Sequence, residues 1–235
     1  IGFAEKIGIP TNRIYKDFDT LMEEELKLPE DSRMQVVSIL TPNFLHFPMA
    51  NKLLENGFHV ICEKPMTTTY EEAKILNQTL KLAKTVFAVT YTYTGYPMVR
   101  QMREMILNGE LGNIQKIDAQ YYQGWINPII HDKEKRSSTW RLNPKKSGIS
   151  CCIGDIGTHA FDMLEYVSGH KIKSVLADLN YVYSDNKMDI DGTVLLRCNN
   201  NVKGVICTSQ IATGEENSFI VKTNSRQKAI IKIIF

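Results

Sequence analysis

Residues 34–65 read MQVVSILTPNFLHFPMANKLLENGFHVICEKP, and this stretch decides the fold class. Met34 to Leu40 is rich in Val and Ile and carries no charge, which predicts a strand buried on both faces, as in parallel sheets. Pro42 breaks it, and the spacing predicts a helix over about Phe47 to Glu55, closed by Asn56 and Gly57. The apolar run His59 to Cys62 then leads into Glu63, Lys64 and Pro65. That is strand, helix, strand, the unit that builds parallel sheets by right-handed crossovers.

Working outward, Thr67 to Thr69 offer caps to a further helix carrying Ala73, Ile75, Leu76, Leu80 and Ala83, and Val86 to Val89 make another buried strand. Upstream, Asp19 is the expected N-cap of an acid-rich helix running to about Leu28, with Glu23 to Glu25 in its first turns and Pro29 as its stop. Ile1 to Gly8 reads as the tail of a helix already under way, so further residues are expected before Ile1.

After Tyr96 and Pro97 the texture changes. A helix to Asn108 and Gly109 is followed by alternating segments near 114–123, 172–183, 193–198 and 202–211, which predict strands with one wetter face. Turn clusters at Ser184 to Asn186 and Asn199 to Asn201 suit antiparallel hairpins, and a helix over about 157–168, ended by Gly169, interrupts the strands. The expected architecture is an α/β unit with a doubly wound parallel sheet over residues 1–95. An α+β unit with an open, mainly antiparallel sheet follows over 96–235.

With 28 basic and 26 acidic residues the net charge is +2, which argues against nucleic acid and acidic membranes as partners. No apolar run reaches the ~20 residues of a spanning helix, and no signal peptide is visible. The five cysteines, Cys62, Cys151, Cys152, Cys198 and Cys207, are odd in number, without zinc-type spacing, and read as reduced thiols in the cytoplasm.

Ligands of open α/β sheets bind beyond the carboxyl ends of the strands. Three strand ends carry polar residues: Thr41, Pro42, Asn43 and His46; Glu63 and Lys64; and Tyr91 to Tyr93. The first two have plain alternatives, a turn that caps the next helix for the first and a Glu63–Lys64 ion pair for the second. Asp155 and His159, four apart in GDIGTHAFD (154–162), project from one face if a helix begins near Asp155. The alternatives are a helix cap and a hydrogen-bonded polar residue. Cys151, Cys152, Asp155 and His159 could also be read as metal ligands, but adjacent cysteines point apart and no metal is expected. Trp140 and Arg141 either clamp a ligand or form an aromatic anchor beside a solvated charge. Lys133 to Arg136 and Lys145 to Lys146 read as solvated loop charges.

In order and spacing these segments resemble the Gfo/Idh/MocA oxidoreductases. The stretches are TPNFLHFPMA (41–50), GFHVICEKPMTTTYEEA (57–73), TGYPMVRQ (94–101), GELG (109–112), WRLNP (140–144), GDIGTHAFD (154–162) and SQIATGEEN (209–217). The resemblance implies a Rossmann domain followed by an α/β domain whose sheet mediates homo-oligomerisation. It also implies hydride transfer between NAD or NADP and a sugar, inositol or related polyol, a small-molecule partner.

On it, Lys64, Asp155 and His159 are catalytic, with Asp155 and His159 also touching substrate. Thr41, Pro42, Asn43, His46, Glu63, Lys64, Trp140 and Arg141 contact cofactor, and Tyr93 and Trp125 line the substrate pocket. Lys64 and His159 are expected to converge although far apart in sequence. His159 would take the hydroxyl proton, Asp155 would orient the imidazole or bind a neighbouring hydroxyl, and Lys64 would stabilise alkoxide character.

No G-x-G-x-x-G occurs in the chain, so that loop and the residue that selects NAD or NADP are expected before Ile1. Residues 1–235 alone are therefore expected to hold a dinucleotide weakly. The sequence from Asn224 to Phe235 departs from the family's continuation, and further strands are expected beyond it. A catalytically silent sugar- or nucleotide-sensing relative, or a remnant of such an enzyme, is the competing class.

Overall fold

The computed structural model describes residues 2–181, 188–212, 217–224 and, as backbone, 230–234. The expected turn at Ser184 to Asn186 and most of the GEEN segment lie outside the described residues.

The first unit opens with a short helix, α1 (Gly2–Lys6), which buries nothing. Helix α2 (Phe18–Lys27) is capped by Asp17 rather than by Asp19. Asp17 has extended backbone, so its Oδ1 reaches the free Thr20 N–H at 2.8 Å. Asp19 already lies in the first turn and pairs with Lys52 instead. Glu25 is likewise no surface acid of a first turn. It is fully buried and accepts from Arg13 (2.7 Å), the Tyr15 hydroxyl (2.5 Å) and the Met34 N–H (2.8 Å).

Strand β1 (Val36–Ile39), helix α3 (His46–Glu55), strand β2 (His59–Cys62), helix α4 (Tyr70–Leu82) and strand β3 (Phe87–Val89) follow. The three strands form a parallel sheet in the order β1-β2-β3, with Val36 opposite His59 and Val60 opposite Phe87. Met22, Ile39, Leu53, Leu54, Phe58, Val60, Cys62 and Leu76 pack as its core. The strands were expected to be buried on both faces; instead Val36, Ile61 and Val86 are exposed. Among the described residues apolar side chains cover only one face of this sheet, so burial alternates along each strand.

Helix α4 begins with a capping box in which Thr69 accepts from the Glu72 N–H and Glu72 reaches back to the Thr69 N–H. Thr69→Ala is expected to cost about 1 kcal/mol in denaturant unfolding, the usual worth of such a cap. An unchanged midpoint would show that the cap contributes nothing here.

The second unit comprises α5 (Pro97–Leu107), β4 (Ile114–Tyr122), α6 (Lys133–Ser138), α7 (Pro144–Ser147), α8 (Thr158–Ser168), β5 (Ile172–Asn180), β6 (Asp191–Cys198), β7 (Lys203–Ser209), β8 (Ser218–Thr223) and β9 (Ile230–Ile234). The strands form one sheet in the order β5-β6-β7-β4-β8-β9, and only the β4–β7 pair is parallel. Alternation in β6 turns Val194 and Leu196 into a core shared with Val99 and Met102 of α5 and Met163, Leu164 and Val167 of α8. The opposite face is wetter, as expected: there Asp118 pairs with Lys116 at 3.1 Å and Lys222 at 3.0 Å.

The basic segments read as loops are the short helices α6 and α7, because Asp132 and Asn143 cap them. Trp140 to Leu142 form a 3₁₀ turn between them. The Asn199 to Asn201 turn places Asn200 and Asn201 at φ of 59° and 60°, a region asparagine tolerates. Gly169 ends α8 in the left-handed region. At its other end α8 does not begin at Asp155. A π-helical turn, Ile153–Gly157, runs into it without a side-chain cap.

Candidate active site

Because β1, β2 and β3 are parallel, their carboxyl ends share one edge, and the residues just beyond them form the floor of the site. Two of the expected ligand contacts act within the protein. His46 is fully buried with Nε2 2.8 Å from the Thr41 carbonyl and Nδ1 2.8 Å from the Pro65 carbonyl, so its ring ties two strand-end loops together. Asn43 is also buried and donates from Nδ2 to the Ser147 carbonyl at 2.9 Å, joining this edge to the second unit. Gly148 follows at φ +94°, where a Cβ would meet Thr68 at 3.3 Å, so only glycine suits the close approach. Thr41, Pro42 and Glu63 are partly exposed at the same edge. One residue beyond β3, the buried Thr90 Oγ1 has no hydrogen-bond partner among the described residues. An edge with half-open loops and an unspent hydroxyl fits the nicotinamide half of a dinucleotide.

Lys64 stands where β2 gives way to a cis Lys64–Pro65 peptide. Its ammonium does not pair with Glu63. It donates to the Asp155 carboxylate Oδ1 at 2.5 Å and to the Asp155 carbonyl at 2.8 Å, across the boundary between the units. The two side chains keep only 15% and 20% exposure, so the pair is largely desolvated and its geometry matters. The other carboxylate oxygen, Oδ2, accepts from Gln210 Nε2 at 3.0 Å and lies 3.5 Å from Arg141 Nε. Asp155 is thus neither a helix cap nor the partner of His159.

His159 is oriented by packing. Its ring meets those of Tyr91, Tyr93 and Tyr121 at centroid distances of 5.8, 4.7 and 6.2 Å, and its buried Nδ1 has no hydrogen-bond partner among the described residues. Burial, and then the Lys64 charge, push its pKa down to about 4, while Asp155 opposes them. The imidazole is therefore neutral over the physiological range, with a lone pair free to accept a proton though a weaker base than an ordinary histidine.

Lys64 and His159, 95 positions apart, line one cavity of about 280 Å³ together with Tyr121, Gln123, Trp125, Arg141, Asp155 and Ile156. Of the residues expected here, Lys64, Asp155, His159, Trp125 and Arg141 meet. Tyr93 reaches the lining through its hydroxyl, 2.5 Å from that of Tyr121. Burial, and then Tyr93, raise the Tyr121 pKa, so that hydroxyl stays protonated. Trp140 lies behind Arg141, whose guanidinium sits 4.6 Å from its ring centroid.

Sequence reasoning missed Tyr121, Gln123 and Gln210. Tyr121, Gln123 and Trp125 follow the period of two along β4 and its continuation, a signal that was available. Gln210 had none beyond its place in SQIATGEEN. Cys151 and Cys152 are both fully buried in different settings, Cys151 donating its thiol to Gln210 and Cys152 packing with Tyr121 and Ile156. Among the described residues no His, Cys, Asp and Glu group could hold a metal ion, and no helix is long and apolar enough to cross a membrane.

Residues 2–91 match the model of the oxidoreductase family with an NAD-binding Rossmann fold, and residues 99–225 match the GFO/IDH/MocA C-terminal domain. The chain belongs to the Gfo/Idh/MocA oxidoreductase family. The uncharacterized oxidoreductase YfiI of Bacillus subtilis (strain 168) is 33% identical over 214 residues, 90% of this chain and 54% of that protein. The levoglucosan dehydrogenase of Pseudarthrobacter phenanthrenivorans is 32% identical over 156 residues, 65% of this chain and 37% of that one. An inositol dehydrogenase homolog from Azotobacter vinelandii, solved with NADH and myo-inositol, superposes with a TM-score of 0.85 at 27% identity. That match covers 99% of this chain and 64% of its own. The chain spans about half the length of the curated relatives it matches. Its family membership rests on both halves of the described fold, the parallel sheet and the mixed sheet.

Proposed function

We propose that the protein is a dehydrogenase that moves a hydride between NAD or NADP and a secondary alcohol of a sugar, inositol or related polyol. The observation that carries this reading is a neutral His159 beside an Asp155-held Lys64 in a polar cavity at the carboxyl edge of a Rossmann-type sheet. The relatives named for levoglucosan and inositol support the substrate class. At about 280 Å³ the cavity falls just below the ~300–1,000 Å³ of drug-sized sites, which suits a single sugar ring.

His159 accepts the proton of the reacting hydroxyl, and the Lys64 ammonium stabilises the alkoxide character that develops on the same oxygen. Asp155 holds Lys64 in place, while Gln123, Tyr121 and Trp125 present donors and an aromatic face to the remaining substrate hydroxyls. The nicotinamide ring, when bound, supplies the acceptor or donor of the hydride. Thr41, Pro42, Glu63 and Lys64 hold that end of the cofactor, with Trp140 and Arg141 at its side. His46 and Asn43 shape the same edge through their backbone partners.

The two domains meet near residue 95, and the wetter face of the second sheet, where the cross-strand neighbours Leu176 and Leu195 are exposed, pairs with a second copy. The five unpaired cysteines suit the reducing cytoplasm. Incubating the full-length protein with NAD or NADP and a panel of inositols, anhydrosugars and aldoses should yield reduced cofactor. Tight cofactor binding without turnover of any polyol would sink the enzymatic reading.

The histidine makes a pH prediction. A base is active when unprotonated, so its acid limb follows its pKa downward from the ordinary value of 6.5 toward about 4. kcat/KM for oxidation should hold nearly level from pH 7 down to pH 5.5. A limb with a midpoint at or above 6.5 would show that His159 is not the base, or is not neutral.

A further inference from the structure

We propose that Gln210 is a positioning residue that aims Asp155 at Lys64, and that the Cys151 thiol anchors the far end of its amide by donating to Oε1. Gln210 follows β7, is fully buried, and takes no part in the cavity lining. Its backbone is held on both sides, donating from N–H to the Ile190 carbonyl at 2.8 Å and accepting from the Ile126 N–H at 3.2 Å. Its side chain joins two others. Nε2 donates to Asp155 Oδ2 at 3.0 Å, and Oε1 accepts from Cys151 Sγ at 3.1 Å.

A side-chain amide has two ends of nearly equal shape and opposite hydrogen-bonding character. Turned over, it would set Oε1 against the carboxylate, acceptor against acceptor. The carboxylate, which can only accept, disfavours this, and the Cys151 thiol, kept protonated by burial, holds the observed orientation by donating to Oε1. Cys151 is itself anchored through Asp189, whose carboxylate accepts from the Cys151 N–H at 3.0 Å and the Ile153 N–H at 2.7 Å. With Oδ2 engaged by Gln210, rotation of the Asp155 carboxyl is fixed and Oδ1 stays on the Lys64 ammonium. The ammonium is thereby held at one place in the cavity that His159 also lines.

This inference rests on the proposed roles of Lys64, Asp155 and His159. In the full-length protein, kcat and KM would be compared for Gln210→Met, Cys151→Ala, Cys151→Ser and Asp155→Asn, with the melting temperature of each. Gln210→Met is expected to lower kcat roughly 10- to 100-fold at near-normal cofactor KM, the range that misplacement of a reacting group produces. Cys151→Ala should lower kcat by a smaller factor, and Cys151→Ser, which restores a donor to Oε1, should recover most of it. A packing role would impair both Cys151 variants alike.

Turnover within about twofold of the parent for Gln210→Met, or equal losses for the two Cys151 variants, would overturn the proposal. If Gln210→Met fails to fold, the Cys151 pair decides alone. Unimpaired Asp155→Asn would instead overturn the functional reading itself, so the two failures are distinguishable.

Discussion

Replacement of His159 by alanine is expected to lower turnover by about two to four orders of magnitude while cofactor affinity stays near that of the parent. The asymmetry follows from placement. His159 sits on the second unit, in the turn that starts α8, whereas Thr41, Pro42, Glu63 and Lys64, proposed to hold the cofactor, lie on loops at the carboxyl edge of the first sheet. Removing the imidazole also relieves a buried Nδ1 that has no hydrogen-bond partner among the described residues, at the loss of two edge-on ring contacts, to Tyr91 and Tyr93, and a tilted one to Tyr121. Single-turnover kinetics with a polyol, beside a cofactor titration by calorimetry, check both halves. Near-unchanged turnover would remove His159 from the mechanism, and a matching loss of cofactor affinity would show that its role is architectural.

The largest expected effect on stability is at Glu25 of α2, which is bonded to the chain just before β1 rather than to the carboxyl edge. Glu25 has no solvent-exposed surface and is held by Arg13, Tyr15 and the Met34 N–H. Burial by itself would raise its pKa, but the Tyr15 hydroxyl, the Met34 N–H and Arg13 outweigh that and hold it below the ordinary 4.5. Glu25→Ala should cost about 3 kcal/mol, the low end of the roughly 3–5 for breaking a buried pair, because Arg13 keeps 30% exposure and can regain water.

The pH dependence has a defined sign. A depressed carboxylate pKa contributes stability that is complete above about 4.5 and is lost as pH falls through the lower folded value. The gap between parent and Glu25→Ala should therefore narrow below pH 4.5 in denaturant melts. A gap independent of pH would assign the loss to packing rather than charge.

Much of this was legible in the amino acids. Local signals are strong where hydrophobic runs meet breakers: Asn56 and Gly57 end α3, Thr69 caps α4, and Gly169 ends α8 where the spacing placed it. The errors were local too. Asp17 and Asp19 are equally good caps on paper, and only the extended backbone at Asp17 decides between them. Strand burial was overestimated because a continuous apolar run does not say which face is covered.

By itself the sequence determined the parallel α/β unit and the mainly antiparallel sheet after it, and it pointed to Lys64, Asp155 and His159 as candidate site residues. Periodicity, breakers and motif spacing are properties of the chain alone. Only the tertiary structure decided who pairs with whom. Lys64 takes Asp155 rather than the adjacent Glu63, Asp155 serves Lys64 and Gln210 rather than His159, and His46 and Asn43 spend their side chains on backbone carbonyls. The choices of Lys64 and Asp155 depend on bringing the end of β2, the turn before α8 and the end of β7 to one place. A buried charge or amide takes whichever partner the packing presents, however distant in sequence.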